Sequence, residues 1–470
     1  MLLNQPSRRR AFVQAVTGLG LAMLMVVPAT LANAAPRVGT TTTPSVKSMS
    51  AGPSCTPYTG NDLAGFIAAA ETSYPATECL SSSGEALTSV NPGTISSPAI
   101  LGFQGATVTG TSALSGPMLS VATTSANTTI MDVTLNGGGG EGDGIACHAA
   151  CRITSSTVEG MMGNGIYISS APGSVIGGST AASEVSTVGN TKAGLEILNT
   201  ASVTVGYFAS SYNNHYGVEY SGDAGPCATT SIIATDTGIA SAQWGLATNN
   251  NGSAVELLGT GTAAGNGCSF QNVTATTQGG YGLALSGSSY NSFAHVSVTG
   301  EPKGQINPAI NFSGGSASNT FNSAKVNHES MAVDIGNDGV KGGKGEVGND
   351  DNVFTSLSAT DDTYGTISVV GGSGNVFTSV TGTGEGSDGK YDLGLIQFRT
   401  NPATKNPDTS NVVKSANFTG APMAKWDTAK YVLYTDAGTS GNSATLASVD
   451  KITYSQAACS THTGNTFTGC

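Results

Sequence analysis

Short strands of alternating apolar and polar residues recur along most of this chain. Each begins with a small residue that is followed by aliphatic, polar and aliphatic residues, and the unit returns roughly every 20 to 40 residues. The clearest copies are Gly144-Ile145, Gly165-Ile166-Tyr167-Ile168, Gly194-Leu195-Glu196-Ile197, Gly217-Val218-Glu219-Tyr220, Gly245-Leu246 and Gly282-Leu283-Ala284-Leu285. Looser copies occupy residues 309–312, 332–335, 365–369 and 394–398.

A second strand signal runs in phase with the first. It consists of Phe270 and of the repeated motif Asn291-x-Phe293, Asn319-x-Phe321, Asn352-x-Phe354 and Asn375-x-Phe377. Two strand signals per repeat, with a variable step, indicate coils of constant cross-section joined by loops of variable length. We expect the phenylalanines to stack inside. The asparagines would lie at bends in left-handed backbone with their amides laddered, and the glycines would form the other bend.

The predicted fold is all-β, a single-stranded parallel β-helix solenoid of about ten or more coils with an N-terminal capping helix. Residues 61–71 predict that helix, since an Asn-Asp pair precedes an apolar run, and the helix would cover an exposed strand edge. Two prolines within residues 401–407 indicate the exit from the solenoid. The predicted boundaries are a signal peptide over 1–34, a linker over 35–54, the β-helix over 55–400 and a C-terminal cap over 401–470.

The N-terminus predicts export. Arg8, Arg9 and Arg10 precede a short apolar stretch, and an Ala-Asn-Ala cleavage site ends at Ala34. The Arg9-Arg10-x-Phe12 spacing is similar to a twin-arginine signal, and an ordinary secretory signal is the alternative. The mature protein is therefore expected to be secreted or periplasmic, without membrane insertion.

Composition and charge narrow the possible partners. Charged residues make up 10% of the chain, but periodic apolar positions argue against disorder. The net charge of −12 argues against nucleic acid and anionic membranes. It also argues against a polyanionic glycan unless a divalent cation bridges the two.

Eight cysteines in an exported chain predict disulfides. Proximity in sequence suggests the pairs Cys55–Cys79, Cys147–Cys151, Cys227–Cys268 and Cys459–Cys470. Zinc binding at Cys147 and Cys151 would need two further ligands, and none is close in sequence.

Two glutamates are the candidate catalytic residues. Within the repeated strands the aliphatic residues point inward, so Glu196 and Glu219 point outward from successive coils, about 5 Å apart. Paired carboxylates at this separation serve as acid and nucleophile in retaining glycosidases. Lys192 and His215, each two residues before its glycine, could tune or assist the pair. The alternative is a solvated acidic strip neutralised by those two side chains.

Aromatic residues suggest a sugar-binding surface. Tyr216, Trp244 and Tyr281 each precede the glycine of a predicted coil, and Tyr167 lies one coil from Glu196. Facing outward, they would bind sugar rings. The alternative is an aromatic ladder packed beneath a loop.

No motif demands a cofactor, and a weak candidate site for calcium is present. The candidate ligands are Asp334, Asp338, Asp350 and Asp351, in a glycine-rich stretch whose spacing departs from that of an EF-hand. A flexible loop is the alternative interpretation.

The chain resembles the pectin-lyase-like superfamily of right-handed parallel β-helices. The resemblance extends from Cys55 to Phe398 and rests on the entry helix, the first coil near Ile95 and Pro98, and the Gly-Ile-x-Ile strands. It implies the fold and its right-handed coil but no activity. The Arg-x-Pro-x-x-Arg motif of pectate lyases, the polygalacturonase motifs and the Asp-Pro-His-Asp of alginate epimerases are absent.

The functional hypothesis is an exported protein that binds an extracellular polysaccharide, and in its enzymatic form cleaves it by hydrolysis or elimination. The alternative is a non-catalytic surface or adhesion protein that uses the solenoid as a spacer. A third idea, ice binding, requires flat Thr-x-Thr rows, and the irregular repeat length argues against it.

Overall fold

The computed structural model describes residues 55–80, 86–89, 91–139, 142–222, 225–237, 252–261, 263–277, 280–300, 307–336, 348–362, 364–385, 394–401, 406–419, 431–449, 459 and 462–469. The predicted signal peptide and linker lie outside these ranges. One helix of more than three residues, Leu63–Ser73 (α1), occurs in the described part of the chain.

The rest of the regular structure is almost entirely β. In chain order the strands are Thr56–Tyr58 (β1), Glu78–Leu80 (β2), Ala86–Ser89 (β3), Gly93–Ile95 (β4), Ile100–Gly110 (β5), Leu119–Val121 (β6), Thr128–Asn136 (β7), Ile145–Cys147 (β8), Cys151–Thr154 (β9), Thr157–Glu159 (β10), Ile166–Ser169 (β11), Val175–Ile176 (β12), Val185–Val188 (β13), Leu195–Leu198 (β14), Thr204–Ser211 (β15), Val218–Ser221 (β16), Ala228–Thr237 (β17), Val255–Leu258 (β18), Ser269–Thr277 (β19), Leu283–Ser286 (β20), Ser292–Gly300 (β21), Ile310–Ser313 (β22), Thr320–Asn327 (β23), Met331–Ile335 (β24), Val353–Thr360 (β25), Gly365–Val370 (β26), Val376–Thr383 (β27), Gly394–Arg399 (β28), Val412–Thr419 (β29), Tyr431–Thr435 (β30), Ser443–Val449 (β31) and Thr466–Thr468 (β32).

These strands form two long parallel sheets. The 13-stranded sheet runs in the order β4, β6, β8, β11, β14, β16, β18, β20, β22, β24, β26, β28 and β30, and the other strands form a 19-stranded sheet. Each strand of the 13-stranded sheet pairs with the next coil in register, for example β16 with β14 and β18. This arrangement confirms the predicted parallel β-helix.

The 19-stranded sheet is bent at β7, and the bend gives this part of the solenoid a third face. The first half of β7 pairs with β9 and its second half pairs with β10. Asp132, at the bend within β7, has a φ of 59°, and Ser155, between β9 and β10, has a φ of 50°. A left-handed residue turns the chain without ending the hydrogen-bonded ladder, so apolar side chains from three faces meet in one long core.

Phenylalanines and asparagines form two ladders inside this core, as predicted. The rings of Phe270, Phe293, Phe321, Phe354 and Phe377 stack at centroid distances of 4.4 to 5.0 Å. In the second ladder each Nδ2 donates to the next Oδ1 at 3.0 Å, through Asn291, Asn319, Asn352, Asn375, Asn411, Asn442 and Asn465. The ladder satisfies buried amides that would otherwise destabilise the interior.

Two details of the predicted bends are wrong. The left-handed residue is the one before each asparagine, as at Tyr290 (φ 58°) and Ser318 (φ 57°), which leaves the asparagine side chain free to point inward. The glycines before the aliphatic residues serve close packing. A Cβ on Gly165 would lie 2.7 Å from the carbonyl oxygen of Gly194 in the next coil.

The N-terminal helix is present and covers the end of the solenoid. Asp62 caps it by accepting a hydrogen bond from the Gly65 N–H at 2.6 Å. Leu63, Phe66 and Ile67 are buried, and Phe66 packs edge-on against Phe103 at 5.1 Å. No described helix is long and apolar enough to cross a membrane.

At the other end the solenoid continues beyond the predicted boundary at residue 400. Strands β29 and β31 extend the 19-stranded sheet, and β30 pairs with β28 in the 13-stranded sheet. The described parts of the predicted C-terminal cap over 401–470 therefore contain further coils.

Three predicted disulfides are confirmed: Cys55–Cys79, Cys147–Cys151 and Cys227–Cys268. The first links β2 to the residue before β1 at the capped end. Cys470 lies outside the described residues, so its pairing with Cys459 stays a prediction.

Candidate functional site

Three glutamates form an outward-facing column on the 13-stranded sheet, which we call the glutamate column. The register of β14, β16 and β18 places Glu196 beside Glu219 and Glu219 beside Glu256. Tyr167 on β11 continues the same column next to Glu196. Neighbouring strands are separated by about 4.8 Å, so the backbones of successive glutamates lie at that spacing. The predicted proximity of Glu196 and Glu219 is therefore present in the sheet register.

The sequence pattern did not predict Glu256, because it assigned Gly245-Leu246 to this coil, which β18 forms instead. The predicted coil at Gly245-Leu246 lies outside the described residues, and β18 pairs directly with β16 and β20. No coil therefore intervenes between β16 and β18 or between β18 and β20. The sequence 254–257, Ala-Val-Glu-Leu, repeats the pattern with alanine in the place of glycine. A search that allowed any small residue at that position would have found it.

Hydrogen-bond donors hold the two outer glutamates of the column. Asn164 Nδ2 donates to Glu196 Oε2 at 2.8 Å, and Ser253 Oγ donates to Glu256 Oε2 at 2.7 Å. Asn164 is itself fixed, because its backbone N–H donates to Asp143 Oδ1 at 2.7 Å. The outer carboxyls are thus oriented from neighbouring turns.

All three glutamates bind protons more tightly than free glutamate does. Burial, followed by the charge of Glu196, raises the pKa of Glu219 to about 7. Burial also raises the pKa of Glu256 to about 7, with Ser253 opposing the shift and Glu219 adding to it. The pKa of Glu196 is raised mainly by burial, while Asn164 and Lys192 lower it. Near neutral pH the column therefore holds both protonated and ionised carboxyls, which acid–base chemistry requires.

Tyr216, His215 and Lys192 lie on the turns beside the column. The half-buried Tyr216 has its pKa raised by burial and by the charges of Glu256, Glu219 and Glu196, so its hydroxyl stays protonated. Its ring lies 4.2 Å from that of His215. Burial and the charge of Lys192 lower the pKa of His215, so this side chain is neutral at pH 7. The structure thus brings all four predicted catalytic side chains to one place.

The predicted aromatic row is different in the structure. Backbone hydrogen bonds place Ser253, rather than Trp244, between Tyr216 and Tyr281 in the column of residues before each strand. Trp244 lies outside the described residues. Tyr167 faces outward in line with the glutamates, and its ring meets that of His148 edge-on at 6.1 Å. Of the four predicted sugar-binding residues, Tyr167 and Tyr216 are therefore the ones that the described structure places directly at the glutamate column.

The three predicted calcium ligands that the structure describes do not form a metal-binding cluster. Asp334 lies on β24 between Asn311 and Ser368, and Asp338 lies outside the described residues. Asp351 is the left-handed residue before an asparagine of the ladder, with a φ of 55°. Asp350 accepts a hydrogen bond from the Ser373 N–H at 2.7 Å, which is a structural contact. Among the described residues no group of three or more acidic, histidine or cysteine side chains could hold a metal ion.

Comparison with known proteins finds similarity in structure only. No protein-family model and no curated protein matches the sequence. One similar structure is the A-module of the mannuronan C-5 epimerase AlgE4 of Azotobacter vinelandii, with a TM-score of 0.40, 12% identity and coverage of 87% of this chain and 90% of that one. The AlgE6 A-module of the same organism has a TM-score of 0.42, 12% identity and coverage of 87% and 93%.

A third similar structure is the catalytic domain of a GH87 alpha-1,3-glucanase in complex with tetrasaccharides. Its TM-score is 0.39 at 9% identity, and the match covers 88% of this chain and 70% of that one. Matches of such low similarity give no information about the activity of this chain.

Proposed function

We propose that this protein binds a polysaccharide across the glutamate column and hydrolyses it there. The observation that carries the proposal is the register of Glu196, Glu219 and Glu256 in three successive coils, with the pKa of the last two raised to about 7. Carboxyl pairs whose environments separate their protonation states are the working parts of glycoside hydrolysis.

Glu219 is the general acid in this proposal. No described residue donates a hydrogen bond to its carboxylate, and burial, with the charge of Glu196, raises its pKa to about 7, so a large fraction stays protonated at neutral pH. Its proton would pass to the glycosidic oxygen as the bond to the leaving sugar breaks.

Glu196 is the nucleophile. Asn164 donates to it and the charge of Lys192 lies nearby, and both favour its ionised form. Neighbouring strands place the two backbones at about 4.8 Å, which fits the 5 to 5.5 Å separation of carboxyls in retaining enzymes. The proposal therefore includes retention of configuration at the anomeric carbon.

The sugar rings would lie against Tyr167 and Tyr216, which flank the acid pair along the coil axis and on the adjacent turn. Aromatic faces contact the apolar faces of sugar rings and leave the hydroxyl groups available for hydrogen bonds. Trp244 and Tyr281, predicted from the sequence as further binding residues, remain proposals, as does secretion.

The test is incubation of the purified mature protein with neutral and acidic polysaccharides, with and without calcium. New reducing ends without unsaturated products would support hydrolysis, and the anomeric configuration of the first product would distinguish retention from inversion. Unsaturated products would show that the chain is cleaved by elimination and would contradict the proposed hydrolysis.

Three glutamine variants test whether turnover depends on the carboxyls of the glutamate column. Glu196→Gln and Glu219→Gln should each abolish turnover, while Glu159→Gln, an outward-facing glutamate on β10 in the other sheet, should leave it unchanged. Normal turnover in both column variants would refute the proposal. Absence of products from every glycan, together with binding to one of them, would favour the adhesion alternative.

A further inference from the structure

Three acidic side chains lie inside the solenoid, one directly above another, and we call them the buried acid stack. Glu329 precedes β24, Asp362 precedes β26 and Glu385 precedes β28, and these three strands pair in succession. Their relative exposures are 0%, 0% and 1%. They therefore occupy the same bend in three neighbouring coils, far from the outward face of the sheet.

Hydrogen bonds reach only one oxygen of each carboxyl in the stack. Thr277 Oγ1 donates to Glu329 Oε1 at 2.6 Å, and Thr366 Oγ1 donates to Glu385 Oε2 at 3.0 Å. Between the coils, the Glu329 N–H donates to Asp362 Oδ1 at 2.9 Å. The second oxygen of each carboxyl is buried and has no partner among the described residues.

The described titratable groups that face the stack are its own members and Asp361, which lies on the outer side of the bend. His328, on the same outer side, pairs with Asp361 at 3.7 Å. Within the described ranges no basic side chain forms an ion pair with the three acids, and they are not arranged to hold a metal ion.

Three carboxylates at this spacing cannot all be ionised in a core of low dielectric constant. Burial raises the pKa of Glu329 and of Glu385 to about 8. Burial, and then the charge of Glu385, raises the pKa of Asp362 well above its usual value. The folded protein thus retains protons here that an unfolded chain releases near pH 4.

We propose that Glu329, Asp362 and Glu385 form a proton-holding stack, which keeps the coils packed in acid and loosens them as the solution becomes alkaline. The neutral acids fit the apolar bend. Each ionisation places a charge in a bend where one oxygen of each carboxyl already lacks a partner among the described residues. This device is independent of the activity proposed for the glutamate column.

The direction of the effect follows from proton binding. Each group has a higher pKa in the folded than in the unfolded state, so its contribution to stability is fully present below about pH 4 and is lost as the pH rises through its folded pKa, which is about 8 for Glu329 and Glu385. Within that window the unfolding equilibrium constant should rise about tenfold per pH unit for each proton that only the folded state retains.

The experiment counts the protons released on unfolding. The parent is the full chain carrying Glu219→Gln and Glu256→Gln, so that the glutamate column, which also has raised pKa values, contributes little. The test variant adds Glu329→Gln, Asp362→Asn and Glu385→Gln, and the control adds Glu159→Gln on β10, in a distant coil. Denaturant unfolding at about pH 6.5 is followed with a pH indicator in weak buffer.

The test variant should release about two to three fewer protons than the parent, and its stability should depend less on pH between about 5 and 8. The control should match the parent. Equal proton release by a folded test variant would overturn the proposal. If that variant does not fold, infrared spectra of the folded parent decide: a protonated-carboxyl band that disappears as the pH rises through about 8 supports the stack, and absence of the band at neutral pH overturns it.

Discussion

The glutamate column and the buried acid stack are built in the same way and face opposite sides of the wall. Both consist of three acids in successive coils, and in both burial raises the pKa values toward or above neutrality. The column is half-exposed and has Asn164 and Ser253 as donors and Lys192 nearby. The stack is enclosed, and no described basic side chain forms an ion pair with it. With the same spacing, we therefore propose a reactive surface in one place and a structural proton store in the other.

The largest effect expected is on turnover by the glutamate column. Glu219→Gln removes the proton donor but keeps the shape of the side chain, so the rate on the cleaved polysaccharide should fall about 10²- to 10⁴-fold. Stability should be unchanged or slightly higher at pH 8, because a buried acid has been removed. Rate measurements and thermal unfolding of the same sample check both. If Glu219→Gln unfolds the protein without a specific loss of turnover rate, Glu219 has a structural role, like the acids of the stack.

The pH dependence of turnover should follow the same acid. Because Glu219 must be protonated and its pKa is about 7, the rate should decline by about tenfold per pH unit above that value. A rate that increases with pH through 7 would contradict the assignment of Glu219 as the acid. Initial rates from about pH 4 to 9, at saturating substrate, provide the measurement.

The asparagine ladder supplies a neutral counterpart to the buried acid stack. Asn352→Ala removes the oxygen that accepts from the Asn319 backbone N–H and Nδ2, and one of the two donors to Asn375 Oδ1, and should lower the free energy of unfolding by about 1 to 3 kcal/mol. Since amides do not titrate, this loss should be equal at pH 5 and pH 8. Denaturant unfolding at both pH values checks it. A loss that differs between the two pH values would show that a buried ladder without titratable groups can also make stability depend on pH. That result would contradict the assignment of the pH dependence to ionisation of the buried acid stack.

The smallest effect expected is at Ser253. Ser253→Ala removes the hydroxyl that donates to Glu256 and favours its ionised form, so the pKa of Glu256 should rise further. The turnover rate should change less than in Glu219→Gln. Carbon-13 NMR titration of the glutamate carboxyls gives the shift directly. An unchanged pKa of Glu256 would show that Ser253 does not influence this carboxyl.

The fold could be predicted from the sequence to a large extent because a solenoid repeats its local rules. The alternation around Glu196 and Glu219 predicted which side chains point outward, and the Asn-x-Phe motifs predicted both internal ladders. The helix after Asp62 could be predicted from its cap and its apolar run. These features depend on residues close in sequence or on regular stacking.

Register over a long insertion could not be read from the chain. Gly245 matched the local pattern better than Ala254, yet β18 begins at Val255, because only pairing with both β16 and β20 decides which segment completes the coil. That decision brought Glu256 into the site and replaced Trp244 by Ser253 in the row between Tyr216 and Tyr281.

The sequence by itself determined the repeating strands, the internal ladders and the outward direction of Glu196 and Glu219, because each depends on a two-residue alternation and on coils of constant section. Only the tertiary structure decided that Glu329, Asp362 and Glu385 meet inside the wall. In the chain they lie in different coils next to residues of no special pattern. Stacking brings them together, and exclusion of water then raises their pKa values.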